Sequence, residues 1–295
     1  MDLLLVCELA IGGALTGLMY SLVALGIVLI YKSSAVPNLA QGALTMLGAF
    51  VVLAFSTRLG LPMWAAIPMG MVTMFMLGAG IERVALRRLA GQPIVMIVMM
   101  TLGLDIFIRG GSLALWGANT RPLSIGISDA PLFLGPILIN RTYLVGAAVA
   151  AAIFAASLLF FKSRMGVVLR AISDDYTAAW SVGISVERGV ALSWALSSMA
   201  ATAAGVLWGS AQGVDQSLAL LLLKGVTVAV LGGLDSVGGA LVAGLLLGVL
   251  EGVASAYFDT LLGGGTRDLV ISVTLILTIM IRPHGLFGRK DIERI

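Results

Sequence analysis

Residues 237–258 read VGGALVAGLLLGVLEGVASAYF, an apolar run with one charge in it, Glu251. A bilayer core about 30 Å thick takes roughly 20 consecutive apolar residues to cross as a helix, and this run has that length. Ala240, Gly244, Gly248 and Gly252 recur at every fourth position. That spacing stacks small residues on one helix face, where a second backbone can come close. Gly13 and Gly17 repeat the pattern near the start of the chain. The run reads as a membrane-spanning helix with a packing face.

Similar stretches recur along the whole chain. Spans are predicted at residues 8–30, 36–55, 62–81, 94–116, 142–161, 189–208 and 237–258, with shorter apolar pieces at 218–231 and 269–281. The expected fold class is all-α, a polytopic membrane helical bundle with about eight or nine crossings, depending on whether the short pieces span. Of the 295 residues 59% are hydrophobic and 11% charged, and the mean hydropathy is +1.07. A soluble domain needs more surface charge than this, so residues 1–295 are read as a single transmembrane domain.

The charges set the orientation. Arg83, Arg87 and Arg88 follow the third span, Lys162, Arg164, Arg170 and Arg188 the fifth, and Arg282, Arg289, Lys290 and Arg294 the last. With the N-terminus outside, all three groups are cytoplasmic, as the positive-inside rule requires. About twelve Lys and Arg then fall inside and about four outside. The net charge of +3 thus follows membrane topology, and no basic stripe for nucleic acid is present. Asp2 and Glu8 stand where a cleaved signal would carry a basic region, so a retained first helix is expected. The single cysteine, Cys7, excludes an intrachain disulfide.

Catalysis has little material. His284 is the only histidine, so His-based triads and His-rich metal sites are excluded. There is no G-x-x-x-x-G-K-[ST] phosphate loop, so ATP hydrolysis of that type is not expected in this chain. No cofactor or metal site is expected.

Isolated polar residues remain. Asp105 and Arg109 are four apart, on one helix face, and either charge alone at the bilayer centre costs about 2.5–3.5 kcal/mol. They are read as an intramembrane ion pair. Lys224 and Glu251 are the other isolated charges in late apolar segments and are candidates to pair with each other. Leu39-Ala40-Gln41-Gly42 and Leu222-Leu223-Lys224-Gly225 each open an apolar run that ends in a glycine, Gly48 or Gly232. They suggest an internal inverted repeat whose helices start part-way into the membrane. Asn38, Gln41, Gly42, Thr45, Lys224 and Gly225 are accordingly expected along a substrate path.

The loop at 162–188 reads as a short amphipathic helix on the cytoplasmic side. Val167, Val168, Ala171, Ala178, Ala179 and Val182 supply small or apolar contacts. Arg170, Asp174, Asp175 and Glu187 supply charge, and Gly183 a C-cap. Paired acids beside lipid headgroups favour docking to another protein.

Taken in order, several motifs resemble the permeases of branched-chain amino acid ABC importers, the LivH type. They are Val36-Pro37-Asn38-Leu39-Ala40-Gln41-Gly42, then 83–89 with Thr101-Leu102-Gly103. Further on come 166–171 with Ala178-Ala179 and Gly183-Ile184, then 230–239 after Lys224, and 281–288. The resemblance implies a second homologous permease, two cytoplasmic ATP-binding subunits, a periplasmic solute-binding protein and an inner-membrane location in contact with lipid. It also implies that Arg170, Ala171, Asp174, Asp175, Ala178 and Gly183 couple the chain to an ATPase. Ala43, where many relatives carry an acid, and Arg109, where a neutral residue is commoner, depart from the pattern. Relatives also carry urea, short amides and aromatic acids. A sugar-type ABC permease and a stand-alone secondary transporter are the competing readings.

Overall fold

The computed structural model describes residues 3–89, 91–127, 131–134 and 137–288. Asp2, Arg289, Lys290 and Arg294 lie outside the described residues. The long helices are α1 (Leu3–Ser34), α2 (Gln41–Arg58), α3 (Met63–Ile81), α4 (Ile94–Trp116), α5 (Arg141–Lys162), α8 (Val186–Gln212) and α10 (Val237–Leu262). Shorter ones are α6 (Arg164–Asp174), α7 (Tyr176–Ser181), α9 (Leu221–Gly232) and α11 (Thr266–Ile281). Two three-residue strands, β1 (Leu132–Leu134) and β2 (Ile137–Ile139), pair antiparallel between α4 and α5.

Among the described residues, seven helices are long and apolar enough to cross a bilayer. Two further helices, α9 and α11, fall short of that length. α9 has 12 residues, about 18 Å at 1.5 Å per residue, and is preceded by a 3-10 turn at Gln216–Leu220. α11 has 16 residues, about 24 Å. The seven candidate spans, with these two short helices beside them, agree roughly with the expected eight or nine crossings.

The glycines show how the helices run. Gly13 lies on Gly248, Gly17 on Gly244 and Gly252 on Leu9, so α1 and α10 are antiparallel in one continuous seam. A single methyl group at Gly13 or Gly17 would overlap main-chain atoms of α10. Gly205 lies on Thr45 and Gly209 beside Ala49, so α2 and α8 run parallel.

α1 and α8 form the interior because their central stretches are apolar or small on every side; Leu22, Leu25, Ile27, Ala201 and Ala204 are fully buried. α3, α4 and α5 form the outer ring, where Met76, Ile106, Phe107 and Leu159 are bare. Such an apolar surface suits contact with lipid chains and not with water.

Two differences from the sequence reading matter. α2 begins at Gln41, not Val36, because Pro37 pushes its predecessor out of helical geometry and Ala35 sits at φ +53°. The loop at 162–188 holds two helices, α6 and α7, broken at Asp175, whose φ is −158°.

Candidate functional site

The break between α1 and α2 gathers buried polar groups. Asn38 Oδ1 accepts from the Ala40 N–H at 3.0 Å, and its Nδ2 donates to Gln41 Oε1 at 3.2 Å. The Ser197 hydroxyl of α8 lies 2.9 Å from both Gln41 Oε1 and the Gly26 carbonyl. The Leu39 N–H donates to Thr101 Oγ1 of α4 at 3.3 Å. Asn38, Gln41, Thr45 and Ser197 have no exposed surface. A satisfied polar knot in an apolar interior pins α1, α2, α4 and α8 at one level. Gln41 meets α1 at Gly26, eight residues before Ser34, so the knot lies about 12 Å from the C-terminal end of that helix.

A cleft of about 360 Å³ opens below the knot, lined by Asn38, Glu82, Arg87, Thr101, Glu187 and Trp194 among others. One π turn at Glu82–Leu86 widens the end of α3. It turns Glu82 inward to 2% exposure, where its carboxylate receives Arg87 Nη2 at 2.9 Å and Nε at 3.3 Å. Arg87 Nη1 also reaches Glu187 at the start of α8, at 3.2 Å. One guanidinium thus ties α3 to α8 across the cleft. Of the expected path residues Asn38 alone lines this cleft. Gln41, Gly42 and Thr45 lie buried behind it, and Gly42 rests on Ala219 and Leu222 at the start of α9.

Lys224 and Glu251 do meet. Lys224 Nζ lies 2.9 Å from Glu251 Oε1 and 2.8 Å from the Tyr20 hydroxyl, over whose ring it also sits. Tyr20 stacks on Trp208 with the rings 4.9 Å apart. The neighbouring Gly225 is pressed against Val23 and Ala24 of α1. Asp105 and Arg109 also meet, Nε to Oδ2 at 2.9 Å.

The protrusion formed by α6 and α7 is keyed into the bundle. Ser163 caps α6 through the Gly166 N–H at 3.4 Å. Leu169 and Ile172 are buried against Gly189 in the first turn of α8. Asp175 Oδ1 accepts from the Ala178 N–H at 2.9 Å, which starts α7, and Gly183 at φ +82° ends the turn beyond it. Arg170, Asp174, Asp175, Ala178 and Gly183 face outward, Ala171 partly so. Beside them Trp180 and Val182 are 72% and 74% exposed. Sequence reading passed over Trp180, although a tryptophan on a polar protrusion is a signal in itself. It also passed over Tyr20 and Ser197, ordinary residues in apolar runs, and took Thr101 only as part of a resemblance motif.

At the opposite end the loops are tied. Arg121 and Val214 exchange both backbone hydrogen bonds, at 3.0 and 2.8 Å. Asp215 accepts from the hydroxyls of Thr120 at 2.7 Å and Ser217 at 2.5 Å and from the Ser217 N–H at 2.8 Å. Burial pushes its carboxyl up, but these bonds outweigh it and hold the group below its ordinary value.

A family model described as "Branched-chain amino acid transport system / permease component" matches residues 9–281. The high-affinity branched-chain amino acid transport system permease protein LivH of Salmonella typhimurium is 29% identical, covering 96% of each chain. The protein BraD of Pseudomonas aeruginosa, given the same description, is 27% identical over 97% of this chain and 96% of its own. A probable branched-chain amino acid transport permease, LivH, of Methanocaldococcus jannaschii is 28% identical over 90% and 88%.

Proposed function

The chain belongs to the family of branched-chain amino acid transport system permease components, and from that premise we propose that it is the membrane subunit of an ATP-driven importer of branched-chain or related hydrophobic amino acids. It is a multi-pass protein of the inner membrane. It works with a second homologous permease, two cytoplasmic ATP-binding subunits and a periplasmic solute-binding protein, and the ATP hydrolysis takes place in the partners.

The observation that carries this reading is the α6–α7 protrusion, bare at Trp180 and seated through Leu169 and Ile172 on Gly189 of α8. The coupling residues in 162–188 are Arg170, Ala171, Asp174, Asp175, Ala178 and Gly183, with Trp180 as the apolar anchor. A load on α6 passes to α8, and Ser197 lies eight residues, about 12 Å, further along that helix. Sliding α8 against α2 breaks the Ser197–Gln41 contact and opens the knot above the cleft. Asn38, Gln41, Gly42 and Thr45 then become the moving wall of the path. Lys224 and Gly225 hold α9 against α1 as its fixed side, and the Asp105–Arg109 pair steadies α4.

The test is leucine uptake by proteoliposomes holding the assembled complex. Replacing Arg170 and Asp175 together should abolish ATPase association and uptake; unchanged association and uptake would remove the coupling assignment. Cysteines at Asn38 and Thr45 should become reactive to aqueous thiol reagents only during turnover. Uptake that survives ATP depletion but collapses with an uncoupler would favour a secondary transporter.

A further inference from the structure

A second cavity, of about 210 Å³, opens at the extracytoplasmic end, where Glu8 and Gly12 of α1, Tyr143 of α5, Glu251 of α10 and Arg267 of α11 meet. Leu9, Leu138 and Ile139 add aliphatic surface to its wall. Glu251 enters this cavity half satisfied. Its Oε1 takes Lys224 at 2.9 Å and Tyr20 at 3.3 Å. Its Oε2 is buried and receives no hydrogen bond from any described residue, although the side chain is only 4% exposed. An ionised carboxylate accepts through both oxygens, and a buried acceptor left without a donor is a strained arrangement.

The charges indicate the missing donor. Lys224 is already committed to Oε1, which leaves the cavity with the second oxygen of Glu251, the carboxylate of Glu8 and the guanidinium of Arg267. These come from three helices, so anionic and cationic groups share one small space. A ligand that satisfies both is a zwitterion, its ammonium on the acids and its anionic group on the arginine. The volume lies below the roughly 300–1,000 Å³ of pockets for drug-sized ligands, and Leu9, Leu15, Leu138 and Ile139 give the wall an aliphatic part beside Thr16, Asn140 and Tyr143. We infer that this cavity binds the ammonium–carboxylate head of a free aliphatic amino acid within the membrane subunit itself. The inference rests on the importer reading for the class of side chain, while the head-group assignment stands on the residues.

Gly12 permits a clean test. A Cβ there meets no atom within 4 Å, whereas Gly13 beside it is locked in the α1–α10 seam. Gly12→Leu therefore fills the cavity and leaves the seam intact. Leucine binding to the purified complex in nanodiscs should weaken by about tenfold to a hundredfold in Gly12→Leu, Glu251→Gln and Arg267→Gln, the effect of losing one charged hydrogen bond or the space itself. Leucine methyl ester, which lacks the carboxylate, and 4-methylpentanoate, which lacks the ammonium, should not compete. An assembled Gly12→Leu complex that binds and transports leucine like the wild type would overturn the inference and leave the importer reading standing. So would an ester that binds as tightly as leucine. A phosphatidylethanolamine molecule retained in native mass spectrometry and lost in Gly12→Leu, with leucine affinity unchanged, would assign the cavity to a lipid headgroup and overturn it too. A wild-type complex that takes up no branched-chain amino acid would overturn both readings.

Discussion

Removing Lys224 should be much more damaging than removing Lys224 and Glu251 together. Lys224→Met leaves the Glu251 carboxylate, 4% exposed, with the Tyr20 hydroxyl at 3.3 Å as its one donor among the described residues. Breaking a buried pair from one side costs about 3–5 kcal/mol, because the surviving charge is stranded. Glu251→Leu is milder, about 1.5–3 kcal/mol, since Lys224 is 20% exposed and rests over the Tyr20 ring. The double substitution takes both charges out of the apolar interior and should fall within about 1 kcal/mol of wild type. The resulting coupling is about 3 kcal/mol or more. Denaturant unfolding in bicelles measures it, with Trp208 fluorescence as the local probe because that ring stacks on Tyr20. If the double variant loses as much stability as the two single variants summed, the charges do not depend on each other and the reasoning fails.

Three further outcomes follow from the geometry. Gly17→Val drives a branched side chain into the Gly244 backbone, and should cost about 1–3 kcal/mol or more by overpacking, read as lowered thermal stability in detergent. Trp180→Ala should weaken binding of the ATP-binding subunits by about 2 kcal/mol, roughly thirtyfold, while the melting temperature of the isolated chain stays put. The Asp215 carboxyl is held below its ordinary value of 3.8, so folding favours its ionised form. Its contribution is complete above that pH and is lost as pH falls through the lowered folded value. Hydrogen exchange at 213–220 should accelerate over that acid range, and Asp215→Ala should remove the pH dependence.

The parts of the molecule visible in the sequence were those written as local periodicities. Gly244, Gly248 and Gly252 show their spacing directly, and their partners Gly13 and Gly17 carry the same one. Lys224 and Glu251 could be matched because isolated charges in hydrocarbon have few places to go. Hydropathy could not place the start of α2, since Val36 and Leu39 are as apolar as the helix that follows; Pro37 was the one local cue. The knot was half legible: Asn38 and Gln41 stand out in an apolar run, but Ser197 comes from 156 residues away, and nothing nearby marks it from Ser193 or Ser198. Residues 132–139 carry too few positions to distinguish a hairpin from a loop.

The zipper between the first helix and the tenth also bears on how the protein is made. Gly13 leaves the ribosome 239 residues ahead of Gly252, whose backbone completes that contact. At about 5–20 residues per second the delay is on the order of 10–50 s. Throughout that interval the central pillar must stand in the membrane with its bare glycine flank open to any passing helix. The order in which the chain is written thus leaves this flank without its partner until the tenth helix arrives.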